Sequence, residues 1–147
     1  MFYQNLLILH SGALTAAIVL FAVGEVLIAI ARGGARQPAR LALLSGRVAG
    51  ILMAIGVIAG IPLIYFGGWP LLSPWLVLSF ILIAVLILTS GRFVEPWRKQ
   101  ARAAAQAGTE DGIVALARDR RASYGRLATL VLLIVIAAVM SLKPDLI

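Results

Sequence analysis

The chain has 147 residues, of which 62% are hydrophobic and 13% charged, and its mean hydropathy is +1.03. Soluble domains carry about 45–50% apolar and about 25% charged residues, so this chain has too few polar side chains to cover a water-exposed surface. The composition therefore indicates a membrane protein and excludes a soluble globular domain. The sequence contains no cysteine, which excludes disulfides, thiolate metal sites and a cysteine nucleophile.

Four apolar segments approach or exceed the roughly 20 residues that a spanning helix requires. We predict spans at about 6–31, 41–66, 74–92 and 124–142, within one transmembrane domain covering residues 1–147. The segment at about 93–123 is predicted to be a helical excursion outside the bilayer. The first segment has no basic residue before it and contains Glu25, which favours a retained span over a signal peptide. The fold class is an all-α, integral membrane four-helix bundle.

The distribution of basic residues predicts the orientation. Of the 13 lysines and arginines, 12 lie in or beside the connections between spans one and two and between spans three and four, and only Lys143 lies on the other side. Basic loops are cytoplasmic in multi-pass proteins, so both termini are expected outside, in the periplasm, and the protein in the bacterial inner (cytoplasmic) membrane. The same rule explains the net charge of +7 without a nucleic-acid partner.

Local signals predict where helices begin and end. Ser73 is expected to cap span three, with Pro74 at its first helical position. Thr109 is expected to cap a helix that runs unbroken through residues 118–121 into span four, which Pro144 ends.

Glu25 and Arg47 are ionisable residues within predicted spans, where charge is costly. If the first hairpin is centred near Arg36, each lies eleven residues from the centre and at the same depth. We therefore predict a structural ion pair between them, since buried charges are usually paired. One alternative is a proton or ion relay through Glu25. In the other, Arg47 extends to the lipid headgroups and Glu25 finds a different partner.

His10 is the single histidine and lies near the outer end of span one, at the expected level of Pro62. A neutral imidazole there could ligate haem iron or copper, with Met140 at a suitable depth for a second ligand. The spacing alone favours a histidine that hydrogen-bonds to a neighbouring helix, because ligand sites usually combine several convergent groups. We predict no catalytic residue and no metal site.

Span two carries small residues at helical spacing, in the pairs Gly46 with Gly50 and Gly56 with Gly60. Such stripes let another helix approach closely. We expect internal packing against span one or span four, and a homodimer face is the alternative. Span three is apolar on nearly all sides, so it should face lipid or another apolar partner.

Several short motifs carry a resemblance to a known group. They are Leu9-His10-Ser11-Gly12, Ile61-Pro62 with Gly67-Gly68-Trp69, Ser73-Pro74-Trp75-Leu76, and the ending Met140-Ser141-Leu142-Lys143-Pro144. In this order they resemble a family of bacterial four-helix predicted integral membrane proteins of unknown function, similar to the copper-resistance protein D and HemJ-like group. The resemblance implies a four-helix bundle and, in the HemJ-like branch, haem b held by His10. That branch also uses a lysine in its third span, and residues 74–91 contain none.

These observations favour a non-enzymatic accessory or structural subunit, which lies in the lipid bilayer and associates with a larger membrane complex or with copies of itself. The alternative is a haem b- or copper-binding membrane redox protein that uses His10. A transporter ranks third, because Glu25 and Arg47 are expected to neutralise each other.

Overall fold

The computed structural model describes residues 1–143, apart from the side chain of Glu110, so the predicted helix end at Pro144 lies outside the described residues. This part of the chain is all-helical. Its elements are α1 (Phe2–Ala31), α2 (Arg36–Phe66), α3 (Pro74–Thr89), a π-helical turn (Ser90–Val94), α4 (Glu95–Gln106), α5 (Glu110–Ala117) and α6 (Arg120–Leu142). Four helices are long and apolar enough to cross a membrane: α1, α2, the continuous helical segment Pro74–Gln106, and α6. The all-α class is thereby confirmed.

Helices α1 and α2 form an antiparallel pair that stays in contact along most of their lengths. Small residues bring their backbones together, and Gly24 of α1 faces Ser45 and the carbonyl of Ala42 on α2. The Ser45 hydroxyl donates a hydrogen bond of 2.6 Å to the carbonyl of Leu20. The connection turns at Gly34, whose φ of 97° suits glycine because it has no Cβ.

Helices α3 and α6 form the second pair. Gly125 of α6 lies so close to Phe93 that a Cβ at this position would overlap the Phe93 side chain. Few residues of α3 are buried, namely Trp75, Leu76 and Ser79, which agrees with the expectation that span three faces lipid or a further apolar partner. The two pairs touch where α6 crosses α1 and where α4 and α5 meet α2.

The end of the bundle that carries residues 32–35 and 90–119 is called the basic end here. A cluster of buried apolar side chains joins the helices at this end: Ile28, Ala31, Ala39, Ala42, Trp97, Ala101, Ile113, Ala117 and Ala122. Trp97 donates through Nε1 to the carbonyl of Leu116 at 2.8 Å, and Arg32 donates through Nε to the carbonyl of Ala117 at 3.0 Å. These donors satisfy carbonyls at the C-terminus of α5 that have no partner within the helix.

At the opposite end, aromatic side chains cluster where the chain connects α2 to α3. The rings of Trp69 and Trp75 meet edge to face at 5.5 Å, and the Lys143 ammonium lies 4.0 Å from the Trp69 ring centroid. Phe2 meets Phe66 at 5.4 Å. Both described ends of the chain therefore lie at this end of the bundle, as an even number of spans requires.

One predicted helix boundary was wrong, and two predicted caps have the expected position without the expected hydrogen bond. The helix beginning at Thr109 does not continue into span four, because α5 ends at Ala117 and Asp119 caps α6 by accepting a hydrogen bond from the amide of Ala122 at 3.3 Å. Ser73 and Thr109 are the N-cap residues of α3 and α5, as predicted, but their hydroxyls accept no hydrogen bond from those helices. Each donates backwards instead, to the carbonyls of Pro70 and Ala104, because a hydroxyl can bond to nearby carbonyls as readily as to a helix N–H.

Replacing the cap of α6 tests the break between α5 and α6. We expect Asp119→Ala to lower the free energy of unfolding by about 1 kcal/mol, the usual cost of losing an N-cap side chain. Asp111→Ala is the matched control, because Asp111 pairs with Arg36 at the surface, where an ion pair contributes at most about 1 kcal/mol and often nothing measurable. Unfolding in mixed detergent measures both variants, and an unchanged stability of Asp119→Ala would contradict the cap.

Candidate functional site

A buried ion pair joins the two helix pairs. Nε of Arg126 on α6 donates to Oε1 of Glu25 on α1 at 2.7 Å, and the side chains are 7% and 17% exposed. This contact connects two helices that are far apart in the chain. Because a charge inside the bundle is costly without a partner of opposite sign, each residue requires the other.

The predicted partner of Glu25 was wrong. Arg47 is exposed on α2, and the structure shows no ion pair for it among residues 1–143. The reason is the hairpin register: Gly24 lies opposite Ala42 and Ser45, so the centre lies near Gly34 and not near Arg36. A shift of the centre by two residues moves Arg47 about 6 Å deeper than the level of Glu25.

Arg126 was missed as the partner, although it lies inside the predicted span 124–142. Arg126 follows the basic residues at positions 118–121 and was therefore grouped with the loop outside the membrane. The available signal was the apolar run that follows it from Leu127, which places Arg126 within the first turns of the span. A charge at that position requires a partner, and Glu25 is the acidic residue of the spans.

The Arg126 guanidinium also stacks on Trp97. Its central carbon lies 4.2 Å from the centroid of the indole ring. This cation–π contact is stronger for a guanidinium that is shielded from water. The two Nη atoms are buried and have no hydrogen-bond partner among the described residues. Arg126 therefore keeps donor capacity that the protein itself does not use.

A cavity of about 570 Å³ lies beside this pair at the basic end, between α2, α4, α6 and the end of α1. Its walls combine charged side chains with apolar ones. The charged lining residues are Glu25, Arg47, Arg98, Arg102 and Arg126, and the apolar ones include Phe21, Ile28, Leu43, Leu44, Val94, Trp97 and Leu130. The arrangement suits a ligand that has an anionic group and a hydrophobic part.

His10 lies against the segment of α2 between Gly56 and Gly60, about one turn nearer the basic end than its expected level at Pro62. Its Nδ1 donates to the carbonyl of Gly56 at 2.7 Å, and a Cβ at Gly60 would lie 2.7 Å from the ring carbon Cε1. The ring therefore fills the space that Gly60 leaves. Among the described residues, no group of three or more His, Cys, Asp or Glu side chains is placed to hold a metal ion.

The small residues of α2 divide into two sets. Gly56 and Gly60 face α1, where Leu14 and His10 occupy the space beside them. Gly46 and Gly50 have nothing within 4 Å of the position that a Cβ would take. The half of α2 nearer the basic end thus keeps a face open.

Single replacements distinguish the observed ion pair from the predicted one. Glu25→Ala and Arg126→Ala should each lower the free energy of unfolding by about 3–5 kcal/mol, because each leaves an uncompensated buried charge. Replacing both residues by leucine should recover most of this loss. Arg47→Ala is the control and should cost far less, since Arg47 is exposed. Equal losses for Arg47→Ala and Arg126→Ala would contradict the assignment.

In comparisons with known proteins, no family model matches this chain, and neither a curated protein nor a solved structure matches it.

Proposed function

We propose that the protein is a non-enzymatic accessory subunit of the bacterial inner membrane, packed against a larger membrane complex. The observation that carries this proposal is the open face of α2 around Gly46 and Gly50. These two glycines and the exposed Ala54 follow one another at intervals of four residues. This spacing lets a second helix approach closely within a bilayer.

A second region of α2 shows the same kind of packing with a helix of this chain. The same helix uses Gly56 and Gly60 to seat α1, with Leu14 and His10 in the space that the glycines leave. Pairs of glycines four residues apart therefore occur twice along α2, and within residues 1–143 another helix packs against one of the two pairs. A helix from a partner protein is the occupant that this spacing fits.

The charges inside the bundle support a packing role over transport. Glu25 is paired with Arg126 at 2.7 Å, so the acidic side chain of the predicted spans is engaged in a contact between two helices of the bundle. The proposal places the basic end in the cytoplasm, because lysine and arginine accumulate in cytoplasmic loops, and both termini in the periplasm.

Bulky replacements on the open face of α2 test the accessory role. We expect Gly50→Leu to release the protein from its native complex, because the side chain blocks the approach of the partner helix. Gly12→Leu is the matched control, since Gly12 on α1 also has nothing within 4 Å. Native gel electrophoresis of gently solubilised membranes measures the complex. Release by both variants, or a wild-type protein that migrates as a monomer or as a dimer of itself, would contradict the proposal.

A second candidate function is a haem b- or copper-binding redox protein that uses His10. The observation that favours it is the Nδ1–H bond to the Gly56 carbonyl, because metal-binding histidines usually donate their other ring N–H to such an acceptor. This bond leaves Nε2 as the nitrogen able to bind iron or copper. His10 would hold the metal through this nitrogen, and a bound iron or copper would supply redox chemistry.

The absorption spectrum of protein purified from its native membrane separates the two functions. The accessory role predicts a colourless protein of unchanged spectrum in His10→Ala, which loses only the contact with α2. A Soret band in the wild type that disappears in His10→Ala would favour the haem protein. Metal analysis of the same two samples tests for copper: copper in the wild type that is lost in His10→Ala would favour a copper protein.

A further inference from the structure

We propose that the cavity at the basic end binds the phosphate headgroup of an anionic phospholipid. The cavity adjoins the open face of α2, because Gly46 lines both, but the inference does not depend on the accessory role. It rests on the charge of the cavity, on the unused donors of Arg126 and on the apolar walls beside them.

The cavity has an excess of positive charge. Four arginines line it, and Glu25 is the acidic residue among its described lining residues. Glu25 is committed to Arg126, and Arg98 also reaches Glu95 outside the cavity at 3.3 Å. Arg47 and Arg102 remain as exposed guanidinium groups beside a surface of low polarity, where an anion is stabilised strongly.

Arg126 supplies the buried part of the site. Its side chain is only 7% exposed and lines the cavity, yet both Nη atoms have no hydrogen-bond partner among residues 1–143. Buried polar groups are normally satisfied, so these donors point to a ligand with acceptor oxygens. The Trp97 ring lies 4.2 Å from the guanidinium, and Nε donates to Glu25. These two contacts fix the position of the guanidinium.

The chemistry of the donors selects phosphate. A guanidinium presents parallel N–H groups that match two oxygens of one phosphate. Arginines from three helices, Arg47 on α2, Arg102 on α4 and Arg126 on α6, line the same cavity. Basic pockets between membrane helices are known to take the headgroups of anionic lipids.

The apolar walls distinguish a lipid from a free anion. Phe21 on α1 and Leu130 on α6 lie four residues deeper in the bundle than Glu25 and Arg126, respectively. Leu44 on α2 is exposed beside them. An acyl chain covers these side chains when the phosphate lies at the arginines, whereas inorganic phosphate leaves them uncovered.

Native mass spectrometry of the full-length protein in detergent tests this site. The probes are dioleoyl phosphatidylglycerol, dioleoylglycerol, which has the same chains without phosphate, and inorganic phosphate. The cavity variant is Arg47→Gln with Arg102→Gln, both at exposed positions. The control variant is Lys99→Gln with Arg120→Gln, which removes the same charge from exposed residues of the basic end that do not line the cavity.

We expect one phosphatidylglycerol molecule to bind with an affinity about 30-fold lower in the cavity variant, since each arginine near a lipid headgroup contributes roughly a factor of five. The control variant should keep the wild-type affinity, and dioleoylglycerol should bind weakly to all proteins. Equal loss in both variants, or equal binding of dioleoylglycerol and phosphatidylglycerol, would overturn the proposal. Inorganic phosphate that competes at the same concentration as the lipid would reassign the site to a free anion and overturn the lipid.

Discussion

The ion pair between Glu25 and Arg126 is the constraint on which the arrangement of the helices depends. Each residue lies in a long apolar helix, where an isolated charge is costly, and the two helices belong to different pairs of the bundle. The 2.7 Å contact therefore fixes how the α1–α2 pair meets the α3–α6 pair. Trp97 adds to this constraint because its ring lies on the Arg126 guanidinium and its N–H holds the end of α5.

This arrangement leaves two adjoining surfaces unfilled, which share Gly46. Each surface supports a different proposal. Helices α2 and α3 are not packed against each other along their lengths, so α2 keeps the open face of Gly46 and Gly50. The cavity that Arg126 lines adjoins this face and lies between α1, α2, α4 and α6. One surface carries the proposed helix site and the other the proposed headgroup site, and Gly46 belongs to both.

The sequence predicted the all-helical fold and the four long apolar helices because length and hydropathy are properties of single segments. The predicted ion pair failed because it needed the hairpin register, and an error of two residues in the centre displaces Arg47 by more than a helical turn from Glu25. The contact with Arg126 joins residues 101 positions apart, and no local pattern determines such a pairing. The same register places His10 between Gly56 and Gly60 and not at Pro62.

Spin-label distances give the most direct test of the claim that Glu25 holds the two helix pairs in place. The chain has no cysteine, so labels at Ile51→Cys on α2 and Val85→Cys on α3 are specific, and both positions are exposed. We expect one narrow distance distribution in the otherwise unaltered protein and a broad one in Glu25→Ala. Labels at Val19→Cys and Ile51→Cys should keep their distance within the α1–α2 pair. An unchanged α2–α3 distribution in Glu25→Ala would contradict the account.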